Sequence, residues 1–170
     1  MKKNEFNYSL QNINLFAFDV DGVFTDGRIY ISDSGVESKD FHTHDGYGIR
    51  KLIEMGVEVA IISGRNSGAV EQRMLDLGID NIKLGCNDKV LAFEEIITKI
   101  GIKASECGYA GDDILDIPLL NIVGLPVTVQ NAHPEVKKIC KYTTIKTGGH
   151  GAVREICDLL INARKKRQEE

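Results

Sequence analysis

The chain has 170 residues, 42% of them hydrophobic, and a formal net charge of −4. This length and apolar content suit one globular domain, which we expect to span residues 1–170. The negative charge argues against general binding to nucleic acid, and no apolar run approaches the roughly 20 residues that a membrane span needs.

Five short apolar runs, bounded by glycine or polar residues, predict β-strands. They are LFAFD at 15–19, VEVAIIS at 57–63, NIKLG at 81–85, CGYAG at 107–111 and LPVTV at 125–129. Between them, apolar residues recur at helical spacing and predict further elements. The predicted helices cover residues 46–56, 67–78, 89–101, 113–124 and 152–163. This alternation predicts a Rossmann-like α/β fold, in which helices sandwich a parallel sheet.

One stretch between the first strand and the first helix does not follow this alternation. RIYIS at 28–32 and ESKDFHT at 37–43, joined by DSGV, predict a β-hairpin over about residues 28–43. A lone two-stranded ribbon is marginally stable, and its free edges can pair with other chains. We therefore expect the hairpin to pack against other subunits; the alternative is that it folds back on its own domain.

Polar residues collect at the carboxyl ends of the predicted strands, where open α/β sheets bind their ligands. The four groups are Asp19-Val20-Asp21, Ser63-Gly64-Arg65, Asp88-Lys89 and Gly111-Asp112-Asp113. Each group alone is typical of ordinary turns and helix caps. All four at one edge of a sheet are harder to explain as turns and indicate a functional site.

The residue types in these groups suit phosphoryl transfer. Clustered carboxylates need a cation between them, and hard oxygen ligands select Mg²⁺. Asp19 can act as a nucleophile, and Asp21, two residues later, can protonate the leaving alkoxide. Ser63 and Lys89 can hold the phosphoryl oxygens. The sequence therefore favours a Mg²⁺-dependent phosphatase.

The motifs FDVDGVFTDG, SGR, DK and GDD, in this order, resemble the haloacid dehalogenase superfamily of aspartate-nucleophile phosphatases. The resemblance makes Asp19 the nucleophile and Asp21 the acid/base. It implies three Mg²⁺ ligands: Asp19, the backbone carbonyl of Asp21, and Asp112. It also assigns supporting places to Gly64 and Asp113. Neither gap between motifs is long enough for a cap domain, so we expect a capless enzyme.

Finer segments resemble one capless and tetrameric family, the 3-deoxy-D-manno-octulosonate 8-phosphate phosphatases. They are DGVFTDGRIYI, FHTHDGYGIRKL, SGRNSGAVEQR, DKVLAFEEI, YAGDDILDIPLL, NAHP and GGHGAVREICDLLI. The resemblance implies that the enzyme releases the free sugar acid for lipopolysaccharide synthesis through an aspartyl-phosphate. The implied substrate contacts are Asp21, His42, Thr43, His44, Asp45, Gly46, Arg50, Arg65, Arg73 and Lys89.

Three alternatives remain open on the sequence. The related phosphatases of nonulosonate 9-phosphates share the same motifs. A signalling receiver domain also has a parallel sheet, an acidic Mg²⁺ site and a phosphorylated aspartate, but it stores the phosphoryl group. A catalytically idle subunit that binds a partner enzyme is the third, and the intact set of acids argues against it.

The cysteines bear on where the protein works. Cys86, Cys107, Cys140 and Cys157 are widely spaced and form no C-x-x-C pair. This spacing is typical of reduced thiols in a cytoplasmic protein rather than of a disulfide framework. The first residues, MKKNEFNYSLQN, lack the apolar stretch of a secretory signal. We therefore expect a cytoplasmic location.

Overall fold

Eight strands form the two sheets of the computed structural model, which describes residues 9–169. In chain order they are β1 (Leu15–Phe18), β2 (Tyr30–Ile31), β3 (Glu37–Ser38), β4 (Glu58–Ile62), β5 (Asn81–Lys83), β6 (Cys107–Ala110), β7 (Leu125–Thr128) and β8 (Tyr142–Thr143). The main sheet has the order β5-β4-β1-β6-β7-β8, with all neighbours parallel. This confirms the predicted parallel α/β fold, to which the short edge strand β8 is an unpredicted addition.

Six helices with both ends among the described residues surround the sheet. They are α1 (Thr43–Glu54), α2 (Gly68–Asp76), α3 (Lys89–Ile100), α4 (Ile117–Leu120), α5 (Pro134–Ile139) and α6 (Ala152–Glu169). The helix predicted over 113–124 is instead a 3-10 turn at Ile114–Asp116 followed by the single turn of α4. Pro118 sits in the first turn of α4, where its missing N–H costs no helical hydrogen bond. Within residues 9–169, no helix has the length and apolarity required to cross a membrane.

The strand β1 separates two hydrophobic cores because its side chains alternate between the faces of the sheet. Phe16 and Phe18 lie in the core that contains residues of α1, α2 and α6. Leu15 and Ala17 lie in the opposite core, with residues of α3, α4 and α5. All four residues of β1 are buried, so the strand is fixed from both sides. The catalytic acid predicted at its end therefore has a rigid support.

The hairpin is present but its paired strands are shorter than predicted. β2 and β3 pair over two residues each, not over 28–32 and 37–43. Apolar side chains remain outside, with Ile31 66% and Val36 62% exposed. The Lys39 side chain, by contrast, is 2% exposed and contacts Asp21 of the same chain. The hairpin thus contacts its own domain through Lys39 and Phe41 and leaves apolar residues nearer its tip on the surface.

Candidate active site

A cavity of about 290 Å³, here called the catalytic cavity, contains residues from all four polar groups at the strand ends. It is lined by Asp19, Asp21, Gly27, Ser63, Gly64, Arg65, Lys89, Asp112, Asp113, Leu115 and Asp116. The structure therefore brings together the residues predicted to carry out the chemistry.

Asp19 follows the last residue of β1 and is held in one orientation. Its backbone N–H donates to the carbonyl of Ala110 at 2.8 Å. Its Oδ1 accepts from the Val20 N–H at 2.7 Å, and its Oδ2 accepts from Lys89 Nζ at 2.7 Å. Burial raises the pKa of this carboxyl to about 6, although Lys89 acts in the opposite direction. The side chain is therefore a buried carboxylate with a fixed orientation.

Lys89 opens α3, whose N-terminus is capped by Asp88 through the N–H groups of Val90 and Leu91. Its Nζ donates to Asp19 Oδ2 and also to Asp116 Oδ1 at 2.6 Å. Burial lowers the pKa of Lys89, but the two carboxylates raise it by more, so the net direction is upward. The ammonium group stays charged at the centre of the site.

Asp116 is a site residue that the sequence reasoning missed. It is fully buried, and its Oδ1 accepts from Lys89 and from the Tyr109 hydroxyl at 2.6 Å. Its Oδ2 accepts from the backbone N–H groups of Asp112 at 3.0 Å and Asp113 at 3.1 Å. Asp116 thereby fixes both the lysine and the turn after β6. The available signal was a third acid in GDDILD, three residues after Asp113.

The carboxylates suit a divalent cation. Asp19, Asp112 and Asp116 each offer an oxygen within 4.8 Å of the others, and Lys89 supplies one positive charge against three acids. Burial, and then the charges of Asp19 and Asp116, raise the pKa of Asp112 to about 7. The oxygens of Asp116 already accept four hydrogen bonds. Asp19 and Asp112 are therefore the carboxylates best able to bind the metal, and oxygen donors suit Mg²⁺.

Asp21 lies in a network of charged side chains that includes two hairpin residues not predicted for the site. Lys39 pairs with Asp21, and Arg65 Nε lies 3.7 Å from Asp21 Oδ2. Glu37 pairs with Arg65 and, at 3.2 Å, with Lys39. The hydrogen bonds from Lys39 and then from Arg65 lower the pKa of Glu37. Glu37 and Lys39 are two residues apart, as expected for side chains on one face of a strand.

Ser63 directly follows the last residue of β4 and is 3% exposed. Its N–H donates to the carbonyl of Lys83 at 2.9 Å, and its hydroxyl accepts from the Arg65 N–H at 3.4 Å. Asp113 does not face the acids in the same way: its Oδ1 accepts from the Ile114 N–H at 2.8 Å and caps the 3-10 turn. This contact fits the supporting role predicted for Asp113.

A second cavity of about 170 Å³, here called the arginine cavity, lies between α1 and α2. It is lined by Thr43, Gly46, Tyr47, Arg50, Arg73 and Leu77. None of these residues lines the catalytic cavity. The expected substrate contacts are therefore divided within one chain: Asp21, Arg65 and Lys89 lie in the catalytic cavity, whereas Thr43, Gly46, Arg50 and Arg73 lie in the arginine cavity.

The other three expected substrate contacts line neither cavity. His42 caps α1 by accepting from the His44 N–H at 3.2 Å, and the two imidazole rings lie 4.8 Å apart. Asp45 is 1% exposed and its Oδ1 accepts from the Arg154 N–H at 2.8 Å. Its carboxylate therefore faces α6 rather than solvent.

Comparison with known proteins agrees with this geometry. A family model described as haloacid dehalogenase-like hydrolase matches residues 87–156. The 3-deoxy-D-manno-octulosonate 8-phosphate phosphatase KdsC of Escherichia coli strain K12 is 45% identical over 159 residues, which cover 94% of this chain and 85% of that protein.

Solved structures give the same result. A 3-deoxy-D-manno-octulosonate 8-phosphate phosphatase from Yersinia pestis superposes with a TM-score of 0.94 at 41% identity, over 97% of this chain and 89% of that one. The Moraxella catarrhalis enzyme, in complex with magnesium ion, phosphate ion and KDO, has a TM-score of 0.94 at 39% identity, over 98% and 96% of the two chains. The chain therefore belongs to the 3-deoxy-D-manno-octulosonate 8-phosphate phosphatase family of haloacid dehalogenase-like hydrolases.

Proposed function

We propose that the protein is a Mg²⁺-dependent phosphatase that hydrolyses 3-deoxy-D-manno-octulosonate 8-phosphate to the free sugar acid and phosphate, a step in lipopolysaccharide precursor synthesis. The observation that carries this proposal is the buried Asp19 carboxylate, held between the Val20 N–H and Lys89 Nζ in the catalytic cavity. A carboxylate fixed in this way is a nucleophile placed before substrate arrives.

The reaction proceeds in two halves. A carboxylate oxygen of Asp19 attacks phosphorus, the bond from phosphorus to the ester oxygen breaks, and Asp21 gives its proton to that oxygen. Water then attacks the phosphorus of the aspartyl-phosphate and gives a proton to Asp21. Phosphate leaves, and the Asp19 carboxylate is regenerated.

Other residues hold the charge that this chemistry moves. Lys89 and the Ser63 hydroxyl bind phosphoryl oxygens, which carry negative charge throughout. Asp19, Asp112 and the backbone carbonyl of Asp21 would hold Mg²⁺, which would supply further positive charge to the phosphoryl group. Asp116 keeps Lys89 and the backbone of Asp112 in place through its four hydrogen bonds.

The arginine cavity is proposed to recognise the carboxylate of the sugar acid. Arg50 and Arg73 come from different helices, and a guanidinium can bind a carboxylate in a bidentate manner. The net charge of the protein is −4, so this positive patch is a local feature. His42, Thr43, His44 and Gly46 lie at the same end of α1 and complete the proposed binding surface.

Because the two cavities share no residue, we propose that they meet between subunits of a homotetramer. The exposed Ile31 and Val36 of the hairpin support this, since association would bury them. Each subunit is proposed to be one domain over residues 1–170 with no cap, acting in the cytoplasm without nucleic acid or membrane. In such an assembly the neighbour replaces the cap as the means of excluding water.

A substrate panel tests the proposed activity. Phosphate release with Mg²⁺ is compared for octulosonate 8-phosphate, a nonulosonate 9-phosphate, hexose phosphates and an aryl phosphate. We expect the highest kcat/KM for octulosonate 8-phosphate. A higher value for the nine-carbon acid would transfer the assignment to that substrate, and stoichiometric labelling without turnover would favour a receiver-like domain.

A sedimentation experiment tests the assembly. Ile29 is 47% exposed on the hairpin, and Ile29→Glu would place a charge in a buried interface. We expect a tetramer for the wild type and for the control Leu91→Glu, which changes a 56% exposed residue on α3. A wild-type monomer, or an Ile29→Glu monomer with full activity, would exclude a site shared between subunits.

A further inference from the structure

We propose that Asp45 is a positioning residue: by holding the N-terminus of α6, it fixes the turn at residues 147–151, which supports the catalytic loop at Gly22. The catalytic loop is defined here as residues 20–27, which follow Asp19. The proposal rests on the phosphatase function given above, and it gives Asp45 a role other than contact with substrate.

The first contact joins α1 to α6. The Oδ1 atom of Asp45 accepts from the backbone N–H of Arg154, one of the first N–H groups of α6 that have no partner within the helix. The two helices also approach closely at Gly48, where an added Cβ would lie 2.9 Å from Arg154 Cδ and 3.2 Å from Cys157 Cβ. Asp45 therefore binds the start of α6, and the close packing of the two helices fixes its position.

The second contact joins α6 to the two residues that directly precede the turn. Glu155, in the first turn of α6, accepts from the backbone N–H groups of Ile145 at 2.8 Å and Lys146 at 3.0 Å. Within the turn, Gly148 N–H donates to Asn131 Oδ1 at 2.8 Å. A displacement of the start of α6 would therefore displace the turn.

The third contact joins the turn to the catalytic loop. Gly149 N–H donates to the carbonyl of Val23 at 3.2 Å. A Cβ on Gly148 would overlap the carbonyl oxygen of Gly22, and one on Gly149 would lie 2.5 Å from the backbone nitrogen of Asp26. The turn and the loop are thus packed backbone against backbone, with no side chain between them to absorb a shift.

The far side of the loop meets a proposed metal ligand. Gly22 has a φ of +85°, and a Cβ there would overlap the carboxylate of Asp112. Gly22 therefore lies between Gly148 on one side and Asp112 on the other, and it directly follows Asp21. Movement of the turn would change the relative positions of Asp21 and Asp112, on which both proton transfer and metal binding depend.

The burial of Asp45 distinguishes it from a side chain that contacts substrate. Oδ2 is buried and has no hydrogen-bond partner among the described residues. A carboxylate that served only to contact substrate would lie in a cavity, whereas this one is 1% exposed beneath α6.

The experiment measures two substrates and one metal affinity for Asp45→Ala and Gly148→Ala. An aryl phosphate lacks the sugar acid, so it reports on the catalytic loop alone. We expect each variant to lower kcat by roughly 10-fold to 100-fold for both the aryl phosphate and octulosonate 8-phosphate. Mg²⁺ binding, measured by calorimetry, should weaken in both variants. Asp45→Asn, which keeps an oxygen acceptor for α6, should rescue part of each loss.

Control variants and a double variant complete the test. Gly68→Ala adds a methyl group into open space, and Asp80→Ala removes an exposed acid; both should behave as the wild type. In the double variant Asp45→Ala/Gly148→Ala, the fold-loss of kcat should be much smaller than the product of the fold-losses in the two single variants. If Asp45→Ala does not fold, Asp45→Asn carries the test: a partial loss of kcat and of Mg²⁺ affinity supports the proposal, and wild-type values of both overturn it.

Three results would overturn the proposal. A loss of kcat in Asp45→Ala that is confined to octulosonate 8-phosphate would show that Asp45 contacts substrate. A lower melting temperature with unchanged kcat and Mg²⁺ affinity would make its role purely structural. Multiplicative losses in the double variant would make the two sites independent. A wild type that releases no phosphate would instead refute the proposed function, and Mg²⁺ affinity would still test the positioning role.

Discussion

The catalytic cavity and the arginine cavity differ in how completely the chain satisfies their charges. In the former, Asp19 and Lys89 have side chains that are each 10% exposed, and they are paired with each other. In the latter, Arg50 is exposed and donates to a single backbone carbonyl, that of Asp76, at 3.0 Å. The residues proposed for bond cleavage thus pair with one another within one chain, whereas the proposed recognition surface retains donors for a ligand. Chemistry and specificity should therefore respond differently to mutation.

The largest expected effect comes from Asp19→Asn, which removes the proposed nucleophile and one proposed metal ligand together. Uncatalysed hydrolysis of phosphate monoesters is extremely slow, with enzymatic enhancements of up to about 10²¹. We therefore expect no detectable phosphate release from any substrate. The melting temperature without metal should not fall, because burial of this carboxylate is unfavourable, as its raised pKa indicates.

Asp80→Asn is the matched control for this change, since Asp80 is an exposed acid. It should retain full activity. Substantial turnover by purified Asp19→Asn would contradict the proposed nucleophile.

Asp21→Asn should give the next largest loss. Removal of a general acid and base typically lowers turnover by roughly 10²–10⁴. In single-turnover experiments, an aryl phosphate should lose less than an alkyl phosphate, because its leaving group needs less protonation. Equal losses for the two leaving groups would argue against proton donation by Asp21.

Arg73→Ala tests the arginine cavity and should separate it from the catalytic cavity. Loss of a hydrogen bond to a charged group costs about 1.5–3 kcal/mol, which corresponds to a rise in KM of roughly 10-fold to 100-fold. We expect this rise in KM for octulosonate 8-phosphate and none for an aryl phosphate. Lys99→Ala, an exposed change on α3, is the control. An equal rise in KM for both substrates would show that the two cavities act as one functional unit.

The smallest expected effect is on stability as a function of pH. The ordinary pKa of an aspartate side chain is 3.8, whereas folding raises the pKa of Asp19 to about 6 and of Asp112 to about 7. Between about pH 4 and pH 7 the folded state therefore binds more protons than the unfolded state, so the free energy of unfolding falls as pH rises.

Thermal unfolding in EDTA and in Mg²⁺ at pH 5 and pH 7.5 measures this effect. For a chain of this length, each kcal/mol lost lowers the melting temperature by about 2–4 °C. Mg²⁺ should restore more stability at pH 7.5 than at pH 5, because fewer protons compete with it there. A larger gain from Mg²⁺ at pH 5 would show that these carboxylates do not form the metal site.

The sequence predicted those parts of the site that follow from local patterns. Asp19, Ser63 and Asp112 could be placed together because each follows an apolar strand, and parallel strands end at one edge. The role of Asp116 could not, since it depends on Lys89, 27 residues away in the chain. β8 was missed because two residues are too few for a periodic pattern.

The hairpin illustrates the same limit. Its existence follows from alternation and a turn, but the contact of Lys39 with Asp21 depends on how the ribbon folds onto the domain. Likewise, the spacing of HTHDG reveals nothing of the bond from Asp45 to Arg154, which joins residues 109 positions apart. Contacts of this kind are decided by tertiary packing.

The central position of β1 has a consequence for hydrogen exchange. Its neighbours are β4 and β6, and the N–H of Asp19 is bonded to the Ala110 carbonyl. Amides of such a strand exchange only when the whole domain unfolds, whereas those of a short ribbon such as β2 and β3 exchange through local opening. The proposed nucleophile is thus attached to the part of the chain expected to exchange most slowly, and local opening of the hairpin should leave its position unchanged.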